Sequence, residues 1–213
     1  MAFLVDEPEQ PIGANLILAH GAGALMDSDF MNTIAEGVSQ NGIKVWRFEF
    51  PYMSERRATG KKRPPNTQKV LLESWKDTIE QIKRKVDKSE PIFIGGKSMG
   101  GRMASHLSDH DKVAGVACLG FPFHPPGKPD KYKGEHLAEL SKACLILQGE
   151  RDTFGKREEF PAFNLSDSVS VEFIPDGDHS FKPRKSSGHT EQQNIALAVE
   201  KLAKFIKGAI DEK

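Results

Sequence analysis

The stretch PIFIGGKSMGGRMASHL (residues 91–107) contains two overlapping signatures. Gly96-Lys97-Ser98 ends like a phosphate-binding P-loop, while Gly96-Lys97-Ser98-Met99-Gly100 has the spacing of a nucleophile elbow. A P-loop requires G-x-x-x-x-G-K-[ST], and five residues before Gly96 stands Pro91, not glycine. Residues 92–95 are β-formers that belong in a strand and cannot curl into a cradle of amides. An elbow requires a strand, a tight turn carrying the nucleophile, and a helix. Residues 92–95 supply the strand and 99–108 a helix, with Gly96 and Gly100 flanking Ser98 where a side chain would collide with the turn. Gly101 adds room for the helix to pack close to the sheet. The elbow reading therefore stands.

The rest of the chain agrees with an α/β layout. Apolar runs at 15–20 (NLILAH), 43–50 (IKVWRFEF), 113–119 (VAGVACL), 143–147 (ACLIL) and 170–174 read as strands. Between them lie helical stripes: Phe30, Ile34, Val38; then Val70, Leu71, Trp75, Ile79, Ile82, Val86; and last Ile195, Val199, Leu202, Ile206. Asn41-Gly42 ends the first helix, and Thr190 with Gln193 makes a capping box before the final one. Strands apolar throughout are buried on both faces. The expectation is a mostly parallel sheet of six or seven strands with helices on both faces. Residues 1–12 are a possible edge strand or tail of a single 213-residue domain. Segments 54–66 and 121–135 read as the least regular.

Thirty basic and thirty acidic residues leave no formal net charge, which argues against a nucleic-acid or anionic-membrane binder. No apolar run approaches the roughly 20 residues of a membrane span. The first residues have neither a basic leader nor a long apolar stretch, so the expected compartment is the cytoplasm. Cys118 and Cys144, each within an apolar run and without a CxxC motif, read as buried thiols.

A serine hydroxyl needs a base to become a nucleophile. In the strand-end order Ser, acid, His, the candidates are Ser98, Asp152 after the strand at 143–147, and His179 after the strand at 170–174. Glu150 is the rival acid. Asp176 and Asp178 lie too close to His179 in sequence to reach behind its ring, and shape the turn instead. A mononuclear metal site of His20, His124 and His179 is the competing use of these histidines, but no HxH or HExxH spacing supports it. The chemistry calls for no metal and no organic cofactor. Donors for an oxyanion are expected from the amide of Met99 and from the loop His20-Gly21-Ala22-Gly23-Ala24, with Ala22 first and Gly21 second. His20 is read as a buttress of that loop, and is also placed among the substrate-side residues with Lys97, Phe121, His124 and Tyr52. Phe121, Phe123 and His124 would form one wall of the pocket, Tyr52, Met53, Arg56 and Arg57 the other. Lys97 and Arg102 would attract an anionic ester.

The HGAG loop, the Gly96–Gly101 elbow, Arg151-Asp152 and Gly177-Asp178-His179-Ser180-Phe181 resemble the α/β-hydrolase superfamily near the dienelactone hydrolases. His20–Ala24, Phe48-Glu49-Phe50-Pro51-Tyr52-Met53 and the run from Gly120 to Pro129 resemble a small branch of predicted hydrolases, related to the hydrolase-like region of a subunit of the eukaryotic histone-acetyltransferase NSL complex. The resemblance spans about residues 13 to 207 and implies the hydrolase fold and a Ser98–His179–Asp152 triad, with no agreed substrate. Dienelactone hydrolase uses a cysteine nucleophile where this chain has Ser98. No segment between Leu119 and Ala143 is long enough for the helical cap of lipases, so an open site is expected. The function expected is a serine hydrolase acting on a small ester or thioester. The alternatives are an interaction scaffold binding a protein partner through its Pro-rich and basic loops, and a small serine peptidase.

Overall fold

A computed structural model describes residues 2–211; Met1 and the last two residues of the expected domain lie outside it. Seven strands form one sheet: β1 (Leu4–Asp6), β2 (Ala14–Ala19), β3 (Ile43–Phe48), β4 (Ile92–Lys97), β5 (Val113–Leu119), β6 (Cys144–Gly149) and β7 (Val169–Ile174), in the order β1-β3-β2-β4-β5-β6-β7. Six strands run parallel, and β1 pairs antiparallel with β3, so the N-terminal segment is an edge strand.

Alternate residues of each strand feed two cores. Ile17, Trp46, Phe48 and Ile94 face α3 (Gln68–Lys83) and α4 (Met99–Ser105) on one side. Leu16, Leu18, Val45 and Phe93 face α1 (Asp29–Gln40) and α5 (Glu191–Asp211) on the other. The helical stripes read from the sequence point inward: Trp75 of α3 is fully buried and meets Phe48 edge-on, ring centroids 4.7 Å apart. The capping box forms as expected, with Gln193 N–H donating to Thr190 Oγ1 and Thr190 N–H to Gln193 Oε1. Both cysteines are free and buried, and Cys144 beside it pushes the Cys118 thiol up.

One segment departs from expectation. Part of the irregular stretch 54–66 is helical: α2 spans Pro51–Thr59 and ends at Gly60, whose φ of 69° closes a left-handed cap. Proline at the first helical position has no N–H to leave unpaired, so the residue that stops β3 also starts α2. The helix has little apolar stripe beyond Tyr52 and Met53, the only two residues it buries.

The sheet positions the site. The chain runs from β2 outward to β3, then crosses back to add β4 on the other flank of β2. Ligands of open α/β sheets bind at the carboxyl ends of strands where the order reverses in this way. Ala19 of β2 pairs with Gly96 of β4, so the loops leaving these two strands start side by side.

Candidate active site

Ser98 occupies the turn between β4 and α4 with φ 49° and ψ −117°, a conformation L-residues rarely adopt. Only glycines permit it: a Cβ on Gly96 would lie 2.3 Å from the Ala19 carbonyl oxygen, and one on Gly100 would lie 2.6 Å from the carbonyl oxygens of both Ala19 and His20. The backbone is pressed against β2, and the serine side chain is turned out at the sheet edge.

His179 Nε2 lies 2.9 Å from Ser98 Oγ, and His179 Nδ1 lies 2.8 Å from Asp152 Oδ2. Asp152 is fully buried; its Oδ2 also accepts from Gln148 Nε2 at 2.9 Å and its Oδ1 from the Phe154 amide at 2.9 Å. Both carboxylate oxygens are thus acceptors of N–H groups, which places the imidazole hydrogen on Nδ1. The lone pair of Nε2 then faces Ser98, whose hydroxyl donates to it. This is the arrangement in which a serine proton can be lost to a ring held in one tautomer. Phe154 lies beside the imidazole, centroids 4.3 Å apart.

Three of the sequence-predicted residues therefore meet. Glu150 does not: it accepts the Asp176 amide at 2.8 Å and pairs with Arg157, and the amide first, Arg157 after it, hold its carboxyl below the usual range. Asp176 is held down to about 2 by Arg184, and Asp178 caps the turn by accepting the amides of Ser180 and Lys182, as expected of turn formers. The histidines weighed as a metal set, His20, His124 and His179, each engage both ring nitrogens with partners of their own.

The loop after β2 lies against the nucleophile, with a Cβ on Gly21 falling 3.6 Å from Ser98 Cβ. Its frame is built from two residues expected on the substrate side. His20 is fully buried; its Nε2 accepts the Phe50 amide at 3.1 Å, so its Nδ1 carries the hydrogen and donates to Gly21 O at 2.7 Å. Burial lowers its pKa, against the opposing pull of that bond and of Glu49. Tyr52 Oη donates to Ala22 O at 3.0 Å and lies 3.4 Å from Gly21 O. Burial pushes its phenol up to about 12. Arg57, expected in a pocket wall, clamps the far end of the loop by pairing with Asp27 at 2.7 Å and Glu49 at 2.6 Å.

The remaining expected contacts are corrected in the same sense. Phe121 is fully buried; its amide donates to Gln148 Oε1 at 2.8 Å and its ring packs on Phe123. His124 is buried and bonds Pro125 O and Glu159. The Lys97 ammonium turns beneath the histidine loop and donates to His179 O. Arg102 is half-buried toward Glu135. Phe121, through Gln148, and Lys97, through the His179 carbonyl, support the site from behind.

Three residues were missed. Gln148 bonds Asp152, Phe121 and Gly155 at once. Its signal was a lone buried amide ending the apolar run LILQ. Asn194 of α5 donates to Pro175 O at 2.9 Å and Phe181 O at 2.8 Å, stapling the histidine loop to a helix. Phe154 supplies both an amide to Asp152 and a ring face to His179.

Residues 13–207 match the sequence model described as an alpha/beta hydrolase domain. The chain belongs to the α/β-hydrolase family. The fold of this hydrolase recurs in an alpha-beta serine hydrolase homologue from Coxiella burnetii, at 18% identity over 95% of this chain and 89% of that one, TM-score 0.73. It recurs in a serine hydrolase described as without lid from Xanthomonas campestris, at 15% identity over 96% and 87%, TM-score 0.71. A dienelactone hydrolase from Anabaena variabilis matches at 17% identity over 93% and 88%, TM-score 0.66. At these identities the likeness is one of fold. Among the described residues of this hydrolase no large cap covers the sheet edge.

Proposed function

We propose that this α/β hydrolase cleaves small esters, thioesters among them, through an acyl-enzyme on Ser98. The observation that carries the reading is the unbroken chain Ser98 Oγ, His179, Asp152, with contacts of 2.9 and 2.8 Å at a strained elbow. Ser98 Oγ adds to the ester carbonyl carbon as its proton passes to His179 Nε2. Asp152 steadies the imidazolium that results. The tetrahedral intermediate collapses, and the leaving alkoxide takes the proton from His179. Water then gives its proton to the same nitrogen as it attacks the acyl-serine, and Ser98 Oγ takes that proton back as the acid leaves.

The oxyanion is met by the amides of Met99 and Ala22, with the Gly21 amide as the next candidate after Ala22. The frame of the loop supports this choice. The Gly21 carbonyl is tied to His20 and Tyr52. A trans peptide points its N–H opposite its C=O, so the Ala22 amide is aimed away from that frame. Each such donor contributes about 3 kcal/mol of transition-state stabilisation. Serine hydrolases and a dienelactone hydrolase among the structural neighbours favour ester chemistry over a scaffold role.

The test is a fluorophosphonate probe with a panel of short p-nitrophenyl esters. Labelling of the wild-type chain and none of Ser98→Ala, with ester turnover lost in parallel, is the expected result. A wild-type chain that neither labels nor turns over any ester ends the hydrolase reading and leaves the scaffold.

A further inference from the structure

The mechanism above leaves one enclosed charge unused. Lys97 ends β4 and directly precedes Ser98. Its stem passes Gly21, where a Cβ would lie 3.5 Å from Lys97 Cγ. Its ammonium donates to the backbone carbonyl of His179. It lies 4.9 Å from the centre of the Phe30 ring and 5.4 Å from that of Phe181. Gly120, at φ 69°, closes the fourth side: a Cβ there would fall 3.0 Å from Lys97 Nζ and 2.9 Å from His179 O. Among the described residues no carboxylate makes an ion pair with this lysine; its bonded partner is the carbonyl.

We propose that Lys97 is a positioning residue for the base: by gripping the His179 carbonyl it sets the height of the imidazole over Ser98. The inference rests on the hydrolase reading for its kinetic consequence, not for its geometry. Two consecutive residues of one strand tip hold one histidine, Lys97 by its backbone and Ser98 by its ring. The imidazole hangs from the same Cα as the gripped carbonyl, so a released loop carries the ring with it. Two phenyl faces and a carbonyl dipole compensate the cation only in part, and burial brings its pKa down to about 8, against the pull of Asp152 and Asp178.

The sign of that shift separates positioning from support of the fold. Between about 8 and the ordinary lysine value of 10.5 the unfolded chain holds the extra proton, so stability rises with pH through that window. At neutral pH the folded chain carries the full burden of enclosing the cation. Removing the charge is then expected to slow the enzyme without weakening it. The charged and titratable groups facing the ammonium are Asp152, Asp178 and the His179 loop itself.

The experiment compares Lys97→Met and Lys97→Gln with wild type in kcat, KM, Tm and the proton NMR signal of the His179 Nδ1–H. For K97M we expect kcat about ten- to a hundredfold lower, since a shift of about 1 Å in a positioned group has effects of that order. KM should stay within about twofold, Tm should not fall, and the Nδ1–H signal should broaden or shift. K97Q keeps a donor without the charge, and should lose about half as much on a logarithmic scale, because charge-assisted bonds are roughly twice as strong as neutral ones. Unchanged kcat and an unchanged signal in K97M overturn the proposal. So does a K97M chain that fails to fold beside a K97Q chain of wild-type rate. If the wild-type chain turns over no ester, the signal alone decides. A shifted signal then keeps the brace while the hydrolase reading fails, and an unchanged one removes both.

Discussion

Two loops flank Ser98, and each carries a histidine with both ring nitrogens engaged. On the β2 side, His20 bonds two backbone groups, the Phe50 amide and the Gly21 carbonyl. On the β7 side, His179 bonds two side chains, Ser98 and Asp152. Backbone partners cannot change protonation, so the first ring can only hold shape; side-chain partners of unequal proton affinity let the second move a proton. Burial follows the same division. His20 is fully enclosed, whereas the His179 side chain keeps 24% of its surface open to solvent. The difference teaches that a histidine's role is read from what its nitrogens touch, not from its nearness to the nucleophile.

The same substitution at both positions tests this division, and its largest effect falls on the open side. His179→Gln should lower kcat by about 10⁴-fold or more, since removing the base of such a unit undoes most of its work. Its stability should change by about 1 kcal/mol or less, because the ring is partly exposed. Steady-state kinetics and urea unfolding of one preparation check both halves. A loss of stability without loss of rate would make His179 a frame residue and break the comparison.

Asp152→Asn comes next and sharpens the β7 side. Asparagine keeps the shape but offers an N–H where His179 Nδ1–H now donates. The ring then turns its hydrogen toward Ser98 and loses its lone pair there, and kcat should fall about 10³- to 10⁴-fold. Gln148 already points an N–H at Asp152 Oδ2, so the variant also sets two donors against each other. A pH–rate profile that keeps its acid limb at a tenth of wild-type rate would return the acid's role to a different residue.

These contrasts also mark what a linear sequence carries. The elbow was legible because Gly96, Gly100 and Ser98 encode a local backbone shape, and the parallel sheet because its strands are apolar on both faces. Asp152 and His179 were legible as the polar residues just past strand ends. The frame was not. Lys97 lies beside Ser98 in sequence and was expected to greet substrate, yet its four-carbon stem carries the charge underneath to His179 O. Tyr52 was expected in the pocket for the same reason, and His20 both there and as a buttress of its loop, the role its two backbone bonds fill; no spacing rule says which way a ring turns. Helix α2 escaped because PYMSERRAT is polar almost all round, and its place is fixed by Arg57 bonding Glu49 and Asp27. Gln148 escaped because one amide at the end of an apolar strand has no periodicity to betray it.

The smallest effect on rate, and the sharpest test of the β2 side, is His20→Gln. Glutamine cannot span the Phe50 amide and the Gly21 carbonyl with the ring's geometry, and a buried backbone group left unpaired destabilises by about 1–3 kcal/mol. The loop beside Ser98 loosens with it, and on the proposed mechanism kcat should fall about ten- to a hundredfold. The pH dependence then separates this histidine from the others. Burial lowers the pKa of His20, so below about 6.5 the unfolded chain takes up a proton that the folded ring refuses, and the stability held by the neutral ring drains away as pH falls. His106 and His136 are lowered as well, the latter to about 4, chiefly by burial, but they remain in both chains and cancel in the difference. Urea unfolding from pH 7 to 5 should therefore show wild type ahead of His20→Gln at neutral pH and the two curves converging on the acid side. Curves that stay parallel would mean that burial does not hold the ring neutral, and that the loop beside Ser98 is shaped by Tyr52 and Arg57 alone.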